Sequence, residues 1–389
     1  MPAFGKLSAE LIELIARLLE PADLFSFRLV CRAFYDTTFP YFSRTCLATV
    51  RTDLSRESLR ELEALAANER LRTQVRTLLF HGRTDIGRGF VWHRHPSSGH
   101  LLLSALLQVP AVQTLRDLLL HKLVNCRSFH VYSHYWEHML DFETLWPTDV
   151  VTVLFAIVSD TGLPIQSFHL EYLRRGTGPG NRRVTTDRLC FEQSRTPEFR
   201  AAWAHLQALT LEQSVSLDIF DWLMELILHA PRLQKLGLNL DYVDLSTDFI
   251  DRLSSAEALP RLQELRLYGF RFTEATILRL ILRLGESLRS VLFRFATIYS
   301  GGTWVAVLRA LRCNCPLLDS IWLYNHAEWP QEDRQVCDIS GPGLLPGPIV
   351  HFDAPEMGDA VPSMGSQLFG GTDGCGVGFA GEIGGIYMI

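Results

Sequence analysis

Histidines 130, 134 and 138 stand four residues apart, with His121 upstream, and come nearest in type and spacing to a catalytic constellation. On a helix, two imidazoles one turn apart can share a metal ion, as in zinc proteases. The rest of that chemistry is missing. No glutamate completes an HExxH pattern, and Val131, Tyr132, Tyr135, Trp136 and Met139 make the segment a mixed aromatic one. A metal-dependent enzyme using His130, His134 and His138 is therefore the alternative to the main expectation, which is no catalytic residue, no metal and no cofactor. Cys313 and Cys315 precede Pro316 at the end of an apolar periodic segment, where free cysteine serves as a small buried hydrophobe. GxSxG, a phosphate-binding GxxxxGK loop and a strand-linked GxGxxG are all absent.

Binding chemistry is better represented. The pattern LxxLxL marks one face of a short strand and recurs at Leu206/Leu209/Leu211, Leu233/Leu236/Leu238, Leu262/Leu265/Leu267, Leu288/Val291/Phe293 and Leu318/Ile321/Leu323. The middle residues are 27, 29, 26 and 30 positions apart, the period of the longer leucine-rich repeats, with one strand and one helix each. Weaker copies stand at Val75/Leu78/Phe80, Leu115/Leu118/Leu120 and Ile165/Phe168/Leu170. Helical spacing fills the intervals, as in Ile277, Leu280, Ile281 and Leu284. The asparagine that such repeats place after the strand is replaced by Ser214, Asp241, Phe270, Ala296 and His326, so an irregular solenoid is expected. Residues between the strand leucines point away from the core. On the last three strands these include Arg266, Tyr268, Arg294, Trp322 and Tyr324, the residue types that dominate binding hot spots. They are the expected substrate-binding patch. Ordinary solvated strand residues are the alternative.

The N-terminal forty residues carry a different signal. Apolar residues at helical spacing run from Leu7 to Leu19, Ser8 is a candidate N-cap, Pro21 ends the helix and Asp23 can start another. So small a unit cannot bury all this apolar surface alone. Leu7, Glu10, Leu11, Ile15, Leu19, Pro21, Asp23, Leu24, Arg28, Leu29, Val30, Cys31, Arg32, Phe34 and Tyr35 together resemble the F-box in order and spacing. Ser8 replaces the usual proline and Phe34 the usual tryptophan. The resemblance implies that Leu7, Ser8, Leu11, Ile12, Ile15, Leu19, Leu24, Val30 and Phe34 face a Skp1-like adaptor, which in turn holds a cullin. It implies a non-catalytic substrate receptor of an SCF-type ubiquitin ligase, with an unidentified protein client on the repeats. A Skp1-binding or scaffold protein acting outside a ligase is the rival.

The expected fold is α/β: an all-helical F-box module at 1–48, a degenerate repeat domain of strand plus helix at 49–335, and a Gly/Pro-rich acidic tail at 336–389. The tail has no lysine or arginine after Arg334, and disorder is expected there. Gly82–His100 and the Gly/Arg-rich Arg174–Arg195 have the composition of surface loops. Among 389 residues, 47% are hydrophobic and 21% charged, with a net charge of −6. That balance excludes wholesale disorder and disfavours nucleic-acid binding. The longest apolar stretch, Val150–Val158 with Thr152 inside it, is too short to span a membrane. Glu10, Glu13 and Arg17 break the first apolar segment, so no export is expected, and the cytoplasm or nucleus is the expected compartment. Eight scattered cysteines without CxxC spacing suggest neither a disulfide framework nor a zinc knuckle.

Overall fold

The computed structural model describes residues 7–82, 86–96, 99–133, 144–172, 183–184, 192–211, 214–215, 220–239, 246–324, 327–328 and 349–353. The chain opens with three helices, α1 (Ala9–Leu18), α2 (Pro21–Arg28) and α3 (Arg32–Phe42), the last continued by a wider turn at Ser43–Leu47. The Ser8 hydroxyl accepts from the Leu11 amide, and Pro21 sits at the first position of α2, where its missing N–H is not needed. Ala16, Leu24 and Phe42 form a small core of their own. The Arg28 guanidinium is buried against it, 3.8 Å from the Phe42 ring centre and 4.4 Å from that of Tyr35.

Strands follow at once: β1 (Thr49–Thr52), β2 (Thr77–Gly82), β3 (Ser128–Ser133), β4 (Ser167–Tyr172), β5 (Arg183–Val184), β6 (Ala208–Leu211), β7 (Ser214–Val215), β8 (Lys235–Asn239) and β9 (Glu264–Tyr268). The remainder are β10 (Arg271–Thr273), β11 (Ser290–Arg294), β12 (Thr297–Tyr299), β13 (Ser320–Tyr324), β14 (Ala327–Glu328) and β15 (Ile349–Asp353). Among the described residues, β1, β2, β3, β4, β6, β8, β9, β11 and β13 pair in that order into one parallel sheet. The smaller strands form two minor sheets, β10–β12–β14 and β5–β7.

Parallel neighbours need crossover connections, and helices supply them. These are α4 (Arg56–Ala67), α5 (Glu69–Arg72), α6 (Leu103–Leu106), α7 (Pro110–His121), α8 (Pro147–Thr161), α9 (Pro197–Trp203), α10 (Phe220–Leu228), α11 (Ser246–Ser255), α12 (Glu274–Leu284) and α13 (Trp304–Asn314). Thr273 and Thr303 cap α12 and α13 through their hydroxyls. Strand residues such as Leu209, Leu236, Leu265, Val291 and Ile321 are buried in one core with the helices. On the other face, called the open face below, the described strand residues are mostly half-buried or exposed.

The register is pinned where each strand begins. The carbonyl of Ala48 accepts from the amides of Arg76 and Thr77, that of Arg76 from Arg127 and Ser128, and that of Arg127 from Gln166 and Ser167. The same double acceptance passes through Gln166, Gln207, Gln234, Gln263 and Arg289, at distances of 2.7 to 3.3 Å along the series. This main-chain ladder ties the start of each strand to the next without the help of side chains.

Three expectations change. Leu115, Leu118 and Leu120 lie in α7, and the strand they were expected to mark is β3, with Phe129 and Val131 inward. His130 belongs to that strand rather than to a helix, so the one-turn metal geometry does not arise; His134 and His138 lie outside the described residues. Gly82–His100 is not simply a surface loop, because Ile86 and Trp92 enter the core. Gly87, at φ +79°, turns there where a Cβ would meet the Trp92 ring at 2.7 Å. Within the tail, Ile349–Asp353 forms β15, antiparallel to β13; most of the tail lies outside the described residues, as does most of Arg174–Arg195. Val150–Val158 is buried within α8, and no helix among the described residues is long and apolar enough to cross a membrane.

Arg94 anchors the packed loop to α8. Its guanidinium meets Asp149 in a two-pronged pair at 2.6 and 3.3 Å, and Asp149 also accepts from the Trp146 amide at 2.8 Å. Both partners are nearly enclosed, with side chains 11% and 5% exposed. Asp149→Ala should therefore lower unfolding free energy by about 3–5 kcal/mol, since it leaves a buried cation unpaired. Arg94→Met with Asp149→Leu should cost less than the single change. Urea unfolding of the three proteins checks this, and an equal or smaller loss for the single change would contradict it.

Candidate functional site

Two surfaces stand out, and the first is helical. On α1, Ile12 and Ala16 face inward while Leu11, Leu14 and Leu18, spaced three and four apart, remain on the surface. Phe25, Leu29, Val30 and Tyr35 extend this exposed apolar set, with Leu18 and Leu29 above 80% or at 80% exposure. Of the residues expected to face an adaptor, Leu11, Ser8 and Val30 are exposed, and Leu7, Ile15 and Leu19 are half-buried. Ile12, Leu24 and Phe34 lie inside the module, where they hold its helices together; Phe34 packs on Phe27 at 4.5 Å. Leu14, Leu18, Phe25 and Leu29 were not anticipated. The signal that could have found them is a helix with apolar residues on more than one side.

The second surface is the open face of the parallel sheet. Arg266, Leu292 and Trp322 are successive partners across β9, β11 and β13, and Tyr268, Arg294 and Tyr324 form the next row. All five residues of the expected patch thus meet on one face. Arg294 lies 5.0 Å from the Tyr324 ring centre and 5.2 Å from that of Phe295. Glu264 takes Lys235 at 3.3 Å and also pairs with Arg266. Burial is the largest single influence on the Arg266 pKa and works to lower it, but Glu264 and Tyr268 together outweigh it and the net direction is up.

Along the same row, in the other direction, stand Gly237, Thr210, His169 and His130. Gly237 leaves that row without a side chain, and a Cβ there would come within 3.0 Å of Thr210. The His130 and His169 rings stack at 4.1 Å, and His130 Nε2 is 3.2 Å from Glu171 Oε2. Burial, helped by the neighbouring His130, holds His169 down to about 4 despite Glu171 beside it. The Glu171 carboxyl is also lowered, first by its hydrogen bond to His130. His169 and Glu171 had not been singled out. With the third repeat placed at Phe129/Val131, strand alternation alone would have set His130 beside His169.

With this geometry established, comparison with known proteins adds one positive finding. The F-box domain family matches residues 4–38, which covers α1, α2 and the first part of α3; no curated protein matches the chain. The chain thus carries an N-terminal helical F-box ahead of a mixed α/β region with a parallel sheet. F-box domains bind Skp1 and through it the cullin scaffold, and they are typically non-catalytic adaptors.

The thiols allow a direct check of how the interior is laid out. Cys126 and Cys315 are buried, and burial pushes their thiols up to about 12 and about 11. Cys313, expected to be buried with Cys315, is exposed, as is Cys31. The thiolate is the reactive form. Alkylation of the native chain at neutral pH, read by peptide mass mapping, should label Cys31 and Cys313 while sparing Cys126 and Cys315. Comparable labelling of the latter pair would contradict the packing described.

Proposed function

We propose that this chain is the substrate receptor of an SCF-type ubiquitin ligase, acting in the cytoplasm or nucleus. Its F-box would hold a Skp1-like adaptor, and the ladder over residues 49–335, taken as an irregular leucine-rich-repeat domain, would hold the protein to be ubiquitinated. One observation carries the reading: of twelve large apolar side chains left exposed among the described residues, seven lie between Leu11 and Tyr35. So high a density of exposed apolar residues within one F-box fits a partner surface rather than chance exposure. In this role the chain makes and breaks no bond. It raises the effective concentration of client lysines near an enzyme loaded elsewhere in the assembly.

The adaptor-facing set is then Leu11, Leu14, Leu18, Phe25, Leu29 and Val30, supported from beneath by Ile12, Leu24 and Phe34. Burying an exposed leucine is worth about 1.5–3 kcal/mol, so Leu14→Glu with Leu29→Glu should weaken Skp1 binding at least about 100-fold at an unchanged melting temperature. Ile12→Ala or Phe34→Ala should instead destabilise the module by about 2–5 kcal/mol. Full-strength binding of the double variant would refute the assignment. Co-purification of a cullin with Skp1 separates a ligase receptor from a Skp1-binding protein outside any ligase.

For the client, Arg266, Tyr268, Arg294, Trp322 and Tyr324 are the proposed patch, supported by their shared face and by Trp322 being 39% exposed. Arg294→Ala with Trp322→Ala should cost at least about 2 kcal/mol in client affinity, as for hot-spot residues, and leave Skp1 binding intact. A client set unchanged by mass spectrometry would rule out this patch.

A further inference from the structure

We propose that His130, His169 and Glu171 form a site for a divalent transition cation of the zinc class on the open face of the sheet. The three come from adjacent parallel strands. His130 of β3 is the direct partner of His169 of β4, and Glu171 follows two residues later on the same face. Their ligand atoms all lie within 4.8 Å of one another. His130 Nε2 is 3.2 Å and His169 Nε2 3.7 Å from the same oxygen, Glu171 Oε2. In a tetrahedral zinc site with bonds of about 2.0–2.1 Å, neighbouring ligand atoms stand about 3.3–3.4 Å apart. The two measured spacings to Glu171 bracket that figure; the two imidazole nitrogens lie within 4.8 Å of each other on stacked rings, which would turn about their side-chain torsions to converge on one ion.

One further observation favours a cation over a plain hydrogen-bonded pair. His169 Nε2 is buried and has no hydrogen-bond partner among the described residues, although a carboxylate oxygen lies just beyond reach. Coordination would satisfy this nitrogen and draw both imidazoles and Glu171 to one point. Imidazole nitrogens with a single carboxylate suit zinc and its first-row neighbours; calcium and magnesium take oxygen ligands. Arg266 is a cation whose charge acts on His169, and it is itself paired with Glu264. Three protein ligands leave a fourth position for a donor from outside, and Gly237, two strands along the row, keeps the neighbouring surface low. Strands rather than loops carry the ligands, which favours a preset geometry.

The proposal is independent of the adaptor reading and is tested on the full chain without a histidine tag. After treatment with chelator, the parent, His169→Asn and Glu171→Gln are equilibrated with Co²⁺ by dialysis, and visible spectra are recorded. The parent should bind one equivalent more than either variant, with four-coordinate d–d absorption that lacks thiolate charge-transfer bands and is quenched by Zn²⁺. Each variant should lose that absorption, or hold the ion at least about tenfold more weakly. Both changes fall on the open face, so circular dichroism should be unaltered; His130→Asn, read the same way, replaces any variant that fails to fold. Equal stoichiometry and affinity in the parent and the folded variants would overturn the site.

Discussion

The structure depends on a chain of main-chain hydrogen bonds. From Ala48 to Arg289, a carbonyl at the start of each turn accepts two successive amides from the next. Because side chains in a strand alternate with a period of two, a slip of one residue anywhere in this ladder would exchange core for surface. The ladder therefore decides which residues become neighbours over long sequence separations. It sets His130 against His169, and it sets Arg266, Leu292 and Trp322 in one row. It does so with backbone groups alone, which leaves the open-face positions free to vary in chemistry from strand to strand.

That freedom is used unevenly. The early part of the row carries imidazoles and a carboxylate, Thr210 and Gly237 form a low middle, and the late part is aromatic and cationic. The N-terminal module solves a different problem. Its helices are too short to bury every apolar residue they carry, so α1 presents one apolar stripe to its own core and another outward. Arg28, buried against Tyr35 and Phe42, lets a charged residue close the inner side with no acidic partner among the described residues. Arg70 of α5, which pairs with Asp36 at 3.4 Å and lies over the Phe39 ring at 3.7 Å, ties the module to the first helical layer of the sheet region.

How much of this was legible in the sequence follows from local periodicity. Strands β6, β8, β9, β11 and β13 could be read because apolar alternation is flanked there by helical spacing, and their register then placed Arg266, Tyr268, Arg294, Trp322 and Tyr324 on one face. Upstream, Leu115, Leu118 and Leu120 satisfy the strand pattern and helical spacing equally, and α7 takes them. The true strand was hidden because Cys126 stands where a leucine would lead it. In the F-box, the order of residues was legible but not their direction. Ile12 and Leu11 are adjacent, and only the packing of α3 against α1 decides which is inside. The Gly82–His100 composition spoke for a loop, and nothing local to it could reveal that Arg94 finds Asp149 fifty-five residues later.

The central claim, that this chain engages an adaptor through the outer stripe of its F-box while the sheet's open face stays available, is tested most directly by hydrogen–deuterium exchange with and without recombinant Skp1. The account predicts added protection confined to the segment from Ala9 to Tyr35, with exchange unchanged across residues 264–324. Protection spreading over the open-face strands, or none in the first three helices, would contradict it.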